Sequence, residues 1–213
     1  MKEFLSPGRY IDSGHAAVIE FARKHVKGSG DVERAVSLYY AVRDGIRYNP
    51  FLDFSRDTAF QGSHCLETGE GFCIGKAALL AACARVVGIP ARVGFADVKN
   101  HLTTPRLAER MGTDLFVYHG FTELWLEGKW VKATPAFNLD LCRKFRVKPL
   151  EFDGRSDSIF HPFDADDRRH MEYLRSRGSH ADVPVAEIQK VFRETYPALY
   201  GLGKEAAKEA FSP

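Results

Sequence analysis

The sequence has few cysteines and no long apolar run. The cysteines are Cys65, Cys73, Cys83 and Cys142, and no two of them form a CxxC pair. Such sparse cysteines do not build a disulfide framework, which favours a reducing compartment. No apolar stretch approaches the roughly 20 residues of a membrane span. The opening MKEFLSPGRY lacks the apolar centre of a secretory signal. We therefore expect a cytoplasmic protein with no membrane partner.

An excess of charge is absent as well. The 30 Lys and Arg residues oppose 28 Asp and Glu residues, so the formal net charge is +2. Proteins that bind nucleic acid through its phosphates concentrate Lys and Arg in a patch, and no such patch stands out here. The sequence therefore predicts no nucleic-acid partner.

The hydrophobic pattern predicts an α+β fold. Its first part shows the helical period, and one of the predicted helices is apolar on nearly every side, which is typical of a buried central helix. After Gly88 and Pro90 the period changes to two, which indicates strands, and Glu127-Gly128 predicts a tight antiparallel hairpin. Helices followed by antiparallel strands are typical of an α+β layout. The predicted helices are residues 13–26, 31–46 (with Asp31 as N-cap) and 74–87, and the predicted strands are residues 91–98, 115–126 and 130–134.

The C-terminal part is less regular. A short helix is predicted at residues 137–145, and two more at residues 185–195 and 202–211. The acidic run at residues 164–167 lacks the Gly and Glu of a calcium loop, and a solvated turn is the simpler interpretation. The length favours a single domain, residues 1–213, with a core of about residues 30–150 and a C-terminal extension of about residues 151–213.

Cys73 is the candidate nucleophile. It lies at the predicted first turn of the central helix, where unpaired N–H groups and the helix dipole favour a thiolate. The same N–H groups are able to hold the oxyanion of a tetrahedral intermediate. Gly71, two residues earlier, is expected to leave room for a substrate beside the sulfur. The alternative interpretation, a buried structural cysteine, is the one that we keep for Cys83 and Cys142.

His119 is the candidate base. It lies within a predicted strand of the central sheet, where an imidazole is aimed at a fixed neighbour. Taken alone it is equally a hydrogen-bonded core histidine. Paired with Cys73 it becomes a base candidate, because a Cys–His couple requires proximity in space rather than in sequence.

Four pieces of sequence occur in a characteristic order. They are Gly71-Phe-Cys73, Arg85-Val-Val-Gly-Ile-Pro-Ala-Arg92, His119-Gly-Phe-Thr-Glu123 and Gly128-Lys-Trp130-Val. This order resembles the transglutaminase-like superfamily over about residues 63–134. The resemblance implies a papain-like α+β fold, in which a central helix bearing the cysteine packs on an antiparallel sheet, and this chain would add helices at both ends. It also implies Cys73 as nucleophile and His119 as base.

The third catalytic position departs from that family. Its members carry an aspartate in the pattern WxxxDPT, and here Thr134 stands in its place. A hydroxyl accepts a hydrogen bond from the imidazole but lacks the charge that stabilises imidazolium. Across a two-residue hairpin loop, the residue numbers of two directly paired residues add up to an odd number. Odd-numbered His119 therefore shares a sheet face with the even-numbered residues Thr134, Asn138 and Asp140. We predict that Thr134 or Asn138 orients His119.

These features favour a cysteine-dependent acyl-transfer enzyme that cleaves amide or peptide bonds through a thioester, with hydrolysis favoured over cross-linking. Its substrate would be a protein, a peptide or a small amide, and it would use no cofactor and no metal. Two alternatives remain open. One is an inactive binding module of the same fold, which the replacement at Thr134 favours. The other is a metal-dependent hydrolase, because His119 and Glu123 share a strand face.

Overall fold

The computed structural model describes residues 1–100, 107, 109, 111–159, 171–198 and 200. A four-stranded antiparallel sheet has the order β5-β4-β3-β6, and a two-stranded parallel pair, β1-β2, lies outside it. The strands are β1 (Arg47–Tyr48), β2 (Glu70–Gly71), β3 (Ala91–Asn100), β4 (Leu115–Leu126), β5 (Lys129–Ala133) and β6 (Met171–His180).

One buried helix, α4, lies at the centre of the described fold. Every residue of α4 except its last is buried, and α4 contacts three helices as well as β3 and β4. This is the predicted α+β arrangement, with the cysteine-bearing helix packed on an antiparallel sheet. The helices are α1 (Ala16–His25), α2 (Asp31–Gly45), α3 (Gly62–Thr68), α4 (Cys73–Val86), α5 (Leu139–Phe145) and α6 (Val185–Thr195).

A buried lysine joins α4 to α2. The Lys76 ammonium donates hydrogen bonds to the carbonyl oxygens of Arg43, at 2.8 Å, and Ile46, at 2.6 Å. These carbonyls belong to the C-terminal end of α2, where backbone acceptors have no partner within the helix. Burial lowers the pKa of Lys76 to about 7. The amine therefore holds two helices together while carrying its proton less firmly than in water.

The start of α2 differs from the prediction by one residue. Gly30 is the N-cap and Asp31 is already helical. The carboxylate of Glu33 accepts the backbone N–H groups of Ser29, at 2.8 Å, and Gly30, at 3.2 Å. Glu33 thus satisfies the N–H groups that precede the helix, and Asp31, in the first turn, pairs with Arg34 at 2.6 Å.

The hairpin between β4 and β5 is confirmed. Leu126 pairs with Lys129, and the two loop residues, Glu127 and Gly128, have φ of 49° and 81°. Two positive φ angles are typical of the type I′ turn that suits a two-residue loop. The ladder ends where Thr122 pairs with Ala133.

One strand of the four-stranded sheet, β6, was not predicted from the sequence. β6 pairs with β3 at an edge of the sheet, and most of its residues are exposed or partly exposed. It therefore lacks the apolar alternation that marks a half-buried strand. The predicted helix at residues 202–211 and the acidic run at residues 164–167 lie outside the described residues.

Two charged side chains tie the N-terminal segment to the region that follows β6. The Asp182 carboxylate accepts the backbone N–H groups of Arg9, Tyr10 and Ile11 at distances between 2.7 and 3.3 Å. The Arg85 guanidinium donates to the carbonyl oxygens of Ser6, Ala91 and Ala181.

The division into a core and a C-terminal extension stays a prediction. Within the described part of the chain, no helix combines the length and apolar character needed to cross a bilayer.

Candidate active site

Cys73 is the first residue of α4 and is only 8% exposed. The backbone N–H groups of Gly120, on β4, and Ile74, on α4, each act to lower the pKa of its thiol. The N–H groups of a helix start and of a neighbouring strand therefore both act on one atom. Such an arrangement stabilises negative charge on the sulfur, or on the carbonyl oxygen of a substrate that the sulfur has attacked.

Two glycines determine how closely the backbone packs around Cys73. A Cβ on Gly120 would lie 3.0 Å from the Cα of Ile74, so the approach of β4 to α4 depends on its absence. A Cβ on Gly71 would lie 2.6 Å from the Cys65 sulfur. The expectation that Gly71 leaves room for a substrate is therefore wrong, because Cys65 already fills that space.

The expected low pKa of Cys73 is also wrong for this structure. Burial raises the pKa of the Cys73 thiol to about 11, and the N–H groups of Gly120 and Ile74 oppose that shift without cancelling it. Desolvation disfavours the charged form of any thiol, and here it outweighs the hydrogen bonds. The resting sulfur is therefore a thiol at neutral pH, and a base has to remove its proton for it to react.

His119 follows a β-bulge on β4. Ala96 pairs with His119 but Val98 pairs with Phe116, so β4 contains one extra residue, and Tyr118 has φ of 53°. The buried carboxylate of Asp97 accepts the N–H of Tyr118 at 3.1 Å. It also pairs with the guanidinium groups of two arginines on β6, Arg175 and Arg177. This network holds the backbone immediately before His119, which is 3% exposed.

Cys73 and His119 line the same cavity, whose volume is about 50 Å³. Most of the other side chains around it are aromatic or aliphatic, and they come from segments far apart in the sequence. They include Phe54, Phe72, Met111, Phe116, Val117 and Phe192. The structure therefore brings together the two residues that the sequence singled out, inside a mainly apolar enclosure.

Two tyrosines that sequence reasoning missed also line the cavity. The hydroxyl of Tyr196 accepts the N–H of Val117 at 2.6 Å and donates to the carbonyl of Leu115 at 2.8 Å. Burial, with Cys73 as a further cause, raises the pKa of Tyr48 well above its usual value. No local pattern points to either tyrosine, because each reaches the site through contacts between distant segments.

The predicted hydrogen bond from His119 to Thr134 is not formed. Thr134 is 3% exposed, and its hydroxyl has no hydrogen-bond partner within the described part of the chain. The reason is that the β4–β5 ladder stops at Ala133, and the N–H of Thr134 donates instead to the carbonyl of Ser158 at 2.9 Å. The odd–even rule for paired residue numbers concerns only the face on which a residue lies. It does not bring Thr134 opposite His119, because the ladder ends before Thr134.

Asn138 has a different contact from the predicted one. It is the N-cap residue of α5, and its side-chain oxygen accepts the N–H of Tyr48 at 3.1 Å. Neither Asn138 nor Thr134 is among the described residues that line the cavity. Asn138 instead fixes Tyr48, which does line it. Asp140 is exposed and lies 3.6 Å from Arg143.

Glu123, one of the two residues behind the metal alternative, is bound to an arginine instead. Glu123 is buried and its carboxylate accepts a short hydrogen bond from Arg92. Among the described residues, no group of three or more His, Cys, Asp or Glu side chains is placed to hold a metal ion.

The chain belongs to the transglutaminase-like superfamily, whose family model matches residues 19–135, more than half of the sequence. No curated protein matches it. Among solved structures, it is similar to a "Putative Cysteine Protease from Cytophaga hutchinsonii", with 18% identity and a TM-score of 0.47. That likeness covers 83% of this chain and 53% of the other, so the chain spans about half the length of that protein.

Proposed function

We propose that the protein is a cysteine-dependent acyl-transfer enzyme that hydrolyses amide or peptide bonds, with Cys73 as nucleophile and His119 as base. The observation that carries this proposal is that both residues line one small cavity at the start of α4. Membership of the transglutaminase-like superfamily supports it.

The reaction follows from the contacts of the sulfur. His119 takes the proton of the Cys73 thiol as the sulfur attacks the carbonyl carbon, and it then gives that proton to the leaving amine. The N–H groups of Gly120 and Ile74, which favour negative charge at the sulfur, stabilise the charge that moves onto the carbonyl oxygen. Water attacks the resulting thioester and releases the acid, which restores the thiol.

An activated ester tests the acylation step, because its reaction leaves an acyl group on the nucleophile. With p-nitrophenyl acetate, we expect one acetyl group on Cys73 in the intact-mass and peptide spectra. Cys73→Ala should lose that adduct, whereas Cys83→Ala, a matched change in the same helix, should keep it. His119→Asn should slow acylation by about 10²–10⁴-fold.

The pH profile separates a base-assisted attack from attack by free thiolate. The pKa of Cys73 is raised to about 11, so unassisted acylation should keep rising with pH toward that value. We expect this rise in His119→Asn, and a plateau well below about pH 11 in the wild-type protein. A wild-type profile that coincides with that of His119→Asn would remove His119 from the mechanism.

The binding module remains the second candidate, and a specific observation favours it. Thr134 replaces the family's aspartate, and its hydroxyl makes no hydrogen bond in the described residues. Equal adduct formation in wild-type protein and Cys73→Ala would support this candidate. Stoichiometric metal in the purified protein, lost together with activity on chelation, would instead support the metal-dependent hydrolase.

Hydrolysis and cross-linking differ in what attacks the thioester. Adding a primary amine during turnover partitions the acyl group between free acid and amide product. We expect mainly acid, and a predominance of amide would make the protein a cross-linking enzyme.

A further inference from the structure

The wall of the cavity that faces Cys73 includes residues from outside the family's matched segment. Phe192 belongs to α6, and Tyr196 follows it, whereas the family match ends at residue 135. The two hydrogen bonds of Tyr196 to Leu115 and Val117 dock this end of α6 on β4. Part of the cavity wall therefore comes from outside the matched core.

We propose that this cavity holds the acyl part of the substrate and selects a short, uncharged, aliphatic acyl group, an inference that rests on the proposed function. Among the described side chains that line it there is no Asp, Glu, Lys or Arg, and His119 is the one histidine. Among the described lining residues, a carboxylate or ammonium group on the acyl chain would meet no Asp, Glu, Lys or Arg of opposite charge. The acyl groups of acidic and basic side chains are therefore excluded.

The volume limits the length of the acyl chain. The cavity measures about 50 Å³, which is about a third of the roughly 150 Å³ of a cavity that binds benzene. The space beyond the carbonyl thus accommodates about two or three carbon atoms, which corresponds to a propionyl or butyryl group. Phe54 packs against both Phe72 and Phe192, and all three rings line the cavity.

The chemistry is the acylation described above with an ester as donor. The Cys73 sulfur forms a bond to the acyl carbon while the bond from that carbon to the phenol oxygen breaks. The thiol proton passes through His119 to the departing nitrophenolate. Water then adds to the thioester, and its hydrolysis yields the short-chain acid and the free thiol.

A series of p-nitrophenyl esters tests the selectivity in the full chain. From acetyl to butyryl, we expect kcat/KM for acylation of Cys73 to rise about fourfold per methylene, the equivalent of about 0.8 kcal/mol. A hexanoyl ester should react about tenfold more slowly than the butyryl ester, because the added methylenes overpack the cavity. The monosuccinyl ester, which ends in a carboxylate, should react about 100-fold more slowly.

Variants at Phe192 locate the selectivity in the cavity. Phe192→Ala should raise the ratio of hexanoyl to butyryl kcat/KM by about tenfold, since it reverses that overpacking. Phe192→Leu, which removes less volume, should shift the ratio in the same direction if the alanine variant does not fold. Phe145→Ala is the matched control, because Phe145 is 43% exposed at the end of α5 and should leave the ratio unchanged.

The outcomes distinguish this inference from the function on which it rests. Equal acylation by succinyl and butyryl esters, or a hexanoyl-to-butyryl ratio that stays fixed in a folded Phe192 variant, overturns the cavity's role while Cys73 remains the nucleophile. Failure of every ester to acylate Cys73 overturns the proposed function and this inference together.

Discussion

At the scale of single residues, Thr134 presents a buried hydroxyl without a partner in the described residues, and Thr122 presents a bonded one. The Thr122 hydroxyl donates to the carbonyl of Ala77 at 2.9 Å. Thr134→Val should raise the free energy of unfolding by about 1–2 kcal/mol, because it removes an unsatisfied polar group. Thr122→Val should lower it by about 1 kcal/mol, because it removes a hydrogen bond.

Urea unfolding of both variants checks this pair. A loss of stability in Thr134→Val would show that its hydroxyl has a partner. The same variant should leave the rate of Cys73 acylation unchanged, and a large loss of that rate without a loss of stability would restore Thr134 as the residue that orients His119.

Cys73 and His119 were singled out from the sequence and line one cavity in the structure, whereas the low pKa expected for Cys73 was wrong. Their positions follow from short motifs whose order is characteristic, so they were predictable. The pKa of Cys73 was not, because it depends on burial by segments such as those of Tyr48 and Tyr196, which lie far away in the chain. The contact of Asn138 with Tyr48 was hidden for the same reason.

At the scale of secondary-structure elements, the contact between α4 and β4 depends on Gly120. Gly120→Ala would place a Cβ 3.0 Å from the Cα of Ile74, so the strand has to move away from the helix. We expect a loss of about 1–3 kcal/mol in the free energy of unfolding. Acylation of Cys73 should slow more than stability alone explains, because the N–H of Gly120 leaves the sulfur.

Gly45→Ala is the matched control for that variant. A Cβ on Gly45 meets nothing within 4 Å, and the residue ends α2. This change should leave acylation unaffected and stabilise the protein by about 0.4–1 kcal/mol. Chemical denaturation and the acetyl-adduct assay measure both effects, and equal acylation in the two variants would argue against a role for the Gly120 N–H.

Elements with a strong period were predictable and those without one were not. The bounds of α4, α6, β4 and the hairpin follow from apolar spacing and turn residues, and the structure confirms them within a few residues. β6 escaped because an exposed edge strand carries no apolar alternation. The pair β1-β2, of two residues each, is too short to leave a pattern.

At the scale of the whole molecule, stability should pass through a maximum in mildly alkaline solution. The pKa of Lys76 is about 7 in the folded protein against 10.5 in the unfolded chain. Between these values the unfolded state binds more protons, so stability rises with pH, by up to about 1.4 kcal/mol per unit. Above about pH 9 the unfolded thiols ionise, whereas burial holds the pKa of Cys65 at about 12 and of Cys73 at about 11, so stability falls.

The variant Lys76→Met separates the rise of stability with pH, which depends on Lys76, from the fall, which depends on the thiols. It should flatten the rise between about pH 7 and pH 9 and leave the fall above it, whereas Lys24→Met, at an exposed position of α1, should keep both. Denaturant midpoints measured across that range give the profile. A wild-type curve without any rise would mean that Lys76 keeps its proton when buried.

The hydrogen bonds of the Asp182 carboxylate have a consequence for folding during synthesis. The carboxylate accepts the backbone N–H of Tyr10, which lies 172 positions earlier in the chain. At a synthesis rate of about 5–20 residues per second, the ribosome delivers Asp182 roughly 9–34 seconds after Tyr10. Until then the N–H groups of Arg9, Tyr10 and Ile11 lack their acceptor, and Arg85 lacks the carbonyl of Ala181. The segment around Tyr10 therefore completes its docking only after Asp182 has been synthesised.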